Sequence, residues 1–112
     1  MAVDDDIILD TSNPFERVLF NMVEMHRRKA QDYAVPGDTL KNFREVVAAV
    51  NLPGYTVLED INTMVIRKTS RINNLRGRPA ANESVYDSYL DRAVYAVLAV
   101  VALEENTEIA DA

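Results

Sequence analysis

Hydrophobic positions along this chain recur at helical rather than strand spacing. After Asn13, the apolar residues Phe15, Val18, Leu19 and Met22, followed by His26, return every three or four positions, which predicts a first helix. Asn13 is suited to cap it, Pro14 fits its first position, and Glu16 can reach back to the cap. The helix is expected to run to about Ala30, with Asp32, Tyr33, Pro36 and Gly37 forming a loop. A short second helix is expected behind Asp38 as its cap, with Leu40, Phe43, Val47 and Val50 as its apolar stripe. Asn51, Pro53 and Gly54 end it.

The third helix opens on a capping-box pattern, Thr56 with Glu59. Val57, Ile61, Met64, Val65, Ile72 and Leu75 give it one apolar face, and Gly77 with Pro79 beyond stops it. The fourth opens near Ser84, with Asp87 three residues on. Leu90, Val94, Val97, Leu98 and Val101 form its main stripe, while Ala93, Ala96, Ala99, Val100 and Ala102 fill most of the remainder. A helix apolar nearly all round is expected to be covered on several sides, either at the centre of a bundle or at a subunit interface. The pattern predicts an all-α antiparallel bundle of about four helices over residues 13–105. A flexible acidic arm (1–12) and an acidic tail (106–112) flank it. Ile7, Ile8 and Leu9 in the arm can dock on the domain or on a partner.

Composition narrows the function classes. A chain of 112 residues with 48% hydrophobic residues can build one core. The formal net charge of -6 argues against a general nucleic-acid binder but leaves room for a local basic patch that holds a phosphate. With no Cys there is neither a disulfide framework nor a thiolate metal site. The first residues carry acids where a signal peptide needs positive charge, and no apolar run is long enough to span a bilayer. The expectation is a cytoplasmic protein without a membrane segment.

Chemistry is expected where the third and fourth helices face each other. Glu83, Asp87 and Asp91 are spaced four apart on one helical face, and Tyr95 continues the line. Like charges at this spacing repel by a few tenths of a kcal/mol per pair, so basic residues, a divalent cation or water must compensate. Carboxylates in a row are one way to hold Mg²⁺, which takes one or two of them together with substrate phosphates. Capping with solvent exposure and a salt-bridged face are the alternatives. The third helix offers the opposite charge in Arg67, Lys68 and Arg71. These residues are either partners of those acids or a phosphate clamp, for which the two-pronged guanidinium of Arg71 is suited. Arg76, at the helix end, is explained by the helix dipole.

Around the first loop lie Lys29, Asp32, Tyr33, Asn42 and Phe43. Tyr33 can stack on a base, whereas Phe43 falls on an apolar stripe and reads as core. Asn42 can read a base edge or hold the loop. His26, the single histidine, reads as half-buried and structural.

Taken in order, Lys29-Ala-Gln-Asp32-Tyr33, Asn42-Phe43, Arg67-Lys68-Thr-Ser70-Arg71, and the block from Glu83 to Tyr95 resemble a family. It is that of the small helical phage proteins called nucleotide-modification-associated domain 1. That family is itself similar to the all-α nucleoside-triphosphate pyrophosphohydrolases of the MazG type. The resemblance spans roughly residues 15 to 105 and implies a MazG-like fold linked to phage nucleotide or DNA-base metabolism. The pyrophosphohydrolases hold Mg²⁺ with acids from two helices and cleave a nucleoside triphosphate between its α and β phosphates. One of those helices carries E-x-x-E. The first helix here has Glu16 and Glu24 with no acid three residues from either, and Ala34 stands where the phage family has Gly.

Three functions follow as expectations. The first is a protein that binds a nucleotide or nucleotide-like phosphorylated ligand, serving base modification or capture of a signalling nucleotide. Lys29, Asp32, Tyr33, Asn42, Lys68, Arg71 and Tyr95 are its candidate contacts. The second is a Mg²⁺-dependent pyrophosphohydrolase with Glu83, Asp87 and Asp91 as ligands. The third is a helical protein-interaction module. The apolar girth of the fourth helix adds the expectation of a homo-oligomer, a dimer at least.

Overall fold

A computed structural model of the chain describes residues 7–33, 37–79 and 84–111; the side chains of Tyr33 and of residues 106–111 are outside the description. Glu83 and residues 1–6 also lie outside the described residues. The architecture is all-α: α1 (Pro14–Tyr33), α2 (Lys41–Val50), α3 (Val57–Asn74) and α4 (Val85–Asp111).

The helix ends follow local chemistry. The Asn13 side chain accepts hydrogen bonds from the backbone N–H groups of Phe15 (3.0 Å) and Glu16 (3.2 Å), which caps α1. Glu16 reaches back past this cap to accept from the N–H of Asp10 (3.2 Å). At the far end α1 runs three residues beyond Ala30, so Asp32 and Tyr33 belong to its last turn and not to a loop. Gln31 and Asp32 do not break a helix; Pro36 and Gly37 are the first residues that do.

Asp38 does not cap α2. The helix begins after Leu40, which has no side-chain cap bond, and the Asp38 carboxylate instead pairs with Arg44. Starting there places Leu40 itself in the core. The end of α2 is set by Asn51 in the left-handed region (φ 52°), whose N–H bonds to the carbonyl of Val47. Thr56 caps α3 by accepting from the N–H of Glu59 (3.2 Å). Beyond α3, Gly77 takes φ 73°, and the Arg78 guanidinium folds back onto the carbonyl of Asn74.

The core lies between α2, α3 and α4. Leu40 and Phe43 meet Ile61, Leu98 and Ala102, with Val57, Leu58, Met64, Val94 and Ala99 packed around them. α3 and α4 are antiparallel: Ile61 packs with Leu98 and Ala102, while Lys68 reaches Asp91 and Arg71 reaches Ser88. α1 supplies none of the buried core residues. It lies along the first half of α4 in the same sense, with Asn21 beside Tyr86 (3.4 Å) and Lys29 bound to Asp91.

α4 is covered by α1, α2 and α3 over part of its girth and open over the rest. Leu90, Leu98 and Ala102 are buried, whereas Val97, Val100 and Leu103 are each about half exposed. The 27 residues of α4, roughly 40 Å of helix, also give the chain a long dimension. Its radius of gyration is 16.0 Å, against about 13 Å for a compact chain of this length.

Ile61 is fully buried at the centre of the cluster. Ile61→Ala should therefore lower the unfolding free energy by roughly 2–5 kcal/mol, cavity term included. Val97→Ala, on the open face, should change it by less than about 0.5 kcal/mol. Urea denaturation followed by circular dichroism measures both.

Candidate functional site

Asp91 is 5% exposed, on the face of α4 that looks toward both α1 and α3. A bare carboxylate at that depth is unfavourable unless charge and hydrogen bonds compensate it. Two lysines do so from opposite sides. Lys29 Nζ of α1 lies 2.8 Å from Oδ1, and Lys68 Nζ of α3 lies 2.9 Å from Oδ2. Burial alone would push the Asp91 carboxyl up; the hydrogen bonds and positive charges of Lys29 and Lys68 outweigh it and hold the group below the ordinary aspartate value. One carboxylate thereby ties three helices together.

One turn earlier on α4, Ser88 is fully buried and its Oγ accepts from Arg71 Nε at 3.0 Å. One residue beyond Asp91, Arg92 lies over the Tyr89 ring, 4.9 Å from its centroid, and donates to Thr69 Oγ1 (3.3 Å). The face between α3 and α4 is thus filled by paired side chains. Among the described residues no buried side-chain polar atom lacks a partner.

The open space is on the other side of Asp91. A cavity of about 460 Å³ lies between α1, the start of α2 and the middle of α4. Lys29, Asp32, Asn42, Asp91 and Tyr95, five of the residues singled out in the sequence, line it together. Phe43 both belongs to the core and forms part of the cavity wall. It stands edge-on to Tyr95, with ring centroids 6.3 Å apart at 85°. Lys29 has a side chain 52% exposed, whereas that of Lys68 is 17% exposed.

The other expected residues are placed differently. Lys68 joins the cavity only through the Asp91 carboxylate, and neither it nor Arg71 lines the cavity. Asp87 is exposed in the first turn of α4, where its N–H bonds to Ser84 Oγ (3.0 Å); no ion pair joins it to Arg71 among the described residues. The Tyr33 side chain and Glu83 lie outside the described residues. His26, Met25 and Thr39 line the cavity but were not expected there. The spacing of His26 and Lys29, three apart on one helical face, is the signal that could have found the first of them.

The donor set also bears on a metal. Both oxygens of Asp91 accept from ammonium groups, and two positive charges stand where a cation would bind. Among the described residues no three His, Asp or Glu side chains are grouped to hold a metal ion.

No family model, curated protein or solved structure matches this chain. Among the described residues no helix is long and apolar enough to cross a membrane.

Asp91→Asn should destabilise the fold by roughly 3 kcal/mol, because it removes the buried charge to which Lys29 and Lys68 are both bonded. Lys29→Ala should cost less than about 1 kcal/mol, since Lys29 is half exposed and Lys68 still holds the carboxylate. The folded carboxyl sits below the value of about 3.9 it has when unfolded. Its ionised form therefore stabilises the fold above that pH, and the contribution is lost as the pH falls through the folded value. Acid unfolding below about pH 4 should show this component in the wild type and lack it in Asp91→Asn.

Proposed function

We propose that the chain binds a nucleotide or nucleotide-like phosphorylated ligand in the cavity between α1 and α4. The observation that carries this reading is the joint lining of one cavity by Lys29, Asp32, Asn42, Tyr95 and Phe43. Its volume, about 460 Å³, falls in the range of small-molecule sites, roughly 300–1,000 Å³. Phe43 and Tyr95 offer apolar and aromatic surface to a base. Asn42 presents a donor and an acceptor side by side, and Asp32 accepts from amino or imino groups.

Lys29 is the phosphate-binding group in this scheme. Its side chain is half exposed, and turning it toward a ligand oxygen leaves Asp91 bound to Lys68. The exchange therefore does not strand a buried charge. Lys68 and Asp91 position Lys29. The family resemblance adds the setting: nucleotide or DNA-base modification, or capture of a signalling nucleotide, by a protein of phage type.

Binding is favoured over Mg²⁺-dependent pyrophosphate release because the Asp91 oxygens are engaged by lysines. Calorimetric titration with nucleoside mono-, di- and triphosphates and cyclic dinucleotides, with and without Mg²⁺, tests the proposal. Binding should not require Mg²⁺. Lys29→Ala should weaken phosphorylated ligands by roughly tenfold or more, the worth of a charged hydrogen bond, and leave the matching unphosphorylated nucleoside unchanged. Absence of binding to every nucleotide removes the proposal; pyrophosphate release with Mg²⁺ replaces it with hydrolysis.

A further inference from the structure

The cavity wall contributed by α1 is electrically uneven. His26, Lys29 and Asp32 line it at steps of three residues, which sets them one after another along the helix. α1 and α4 run in the same sense, so His26 and Lys29 stand toward Asp91, and Asp32 stands toward Leu98 and the start of α2. Asp32 is the last residue but one of α1, whose final turn carries no basic residue. Its carboxylate and the negative pole of the helix both disfavour an anion at that end. A phosphate in the cavity is thereby directed to the His26–Lys29 end, and a base to the end of Asp32 and Asn42. His26 is half-buried, and among the described residues no hydrogen bond or ion pair engages its ring.

Charge also limits how much anion this end can take. Lys29 and Lys68 are positive, and Asp91 and Asp32 are negative. These four balance before His26 is counted. A protonated His26 adds one positive charge, which suits one phosphate group and not a chain of two or three.

We infer, on the reading that the cavity takes a nucleotide, that the ligand carries a single phosphate group seated between His26 and Lys29, with the imidazole protonated. An imidazole changes charge between about pH 5 and 8, and an anion beside it favours the charged form. The other ionisable groups lining the cavity are Lys29 and Asp32 on the same helix and Asp91 and Tyr95 on α4; Thr39, Asn42 and Phe43, from the α2 side, carry no charge. Lys68 of α3 stands behind Asp91. Carboxyl, ammonium and phenol groups ordinarily keep their charge state between about pH 6.5 and 8, and a phosphate monoester gains its second proton only near pH 6. A change of affinity over that range therefore reports on His26.

The test is calorimetric titration of the full chain with each ribonucleoside 5′-monophosphate and its di- and triphosphate, with and without Mg²⁺, and with cyclic dinucleotides. The best monophosphate should bind more tightly than its own triphosphate, and more tightly as the pH falls from about 8 to 6.5. His26→Gln, neutral but able to hydrogen-bond, should weaken it by roughly tenfold at the lower pH and flatten the profile. His26→Lys, charged throughout the range, should restore the affinity and keep the profile flat. Helical circular dichroism checks that both variants are folded. A triphosphate or a cyclic dinucleotide that binds better than every monophosphate, or a profile unchanged in His26→Gln, overturns the inference and leaves the cavity as a nucleotide site. No binding by any nucleotide overturns both.

Discussion

The structure depends on one buried negative charge. Asp91 lies in the interior of a three-helix contact, and its ionised form is held there by lysines from α1 and α3. Either lysine alone would neutralise it. Having both lets the group act as a joint: Lys68 fixes α3 against α4, and Lys29 attaches a helix that supplies no buried core residue. Around that joint the remaining polar side chains pair locally, Arg71 with Ser88 and Arg92 with Thr69, which fills one side of α4 and leaves the other open.

The cavity is a consequence of that attachment. α1 contributes no residue to the core cluster of α2, α3 and α4 and is tied to α4 by the Lys29–Asp91 pair. The gap is walled by the core's own edge, Phe43 and Tyr95, and rimmed by polar groups of α1 and α2. The same economy of contact leaves apolar surface on the far side of α4.

The two lysines of this joint contribute unequally. The bond of Lys29 to Asp91 contributes little because the side chain is half exposed. Lys68, more deeply set, cannot be exchanged so cheaply. The two lysines hold one carboxylate and differ in how deeply they are set.

The sequence by itself determined the helices and most of their ends. Periodicity places α1 to α4, and local chemistry sets the caps at Asn13 and Thr56 and the stops at Asn51 and Gly77, because those effects act within one helical turn. It also marked Lys29, Asp32, Asn42, Asp91 and Tyr95 as chemistry-bearing residues. What it could not assign was which charges meet. Lys29 and Asp91 are sixty-two positions apart, and of the α3 cations Lys68 meets Asp91 while Arg71 meets Ser88. Helix rotation decided this: only the residues turned toward α1 and α3 together could share a buried site, and rotation is set by how Leu40, Phe43, Ile61 and Leu98 pack, which no local pattern encodes.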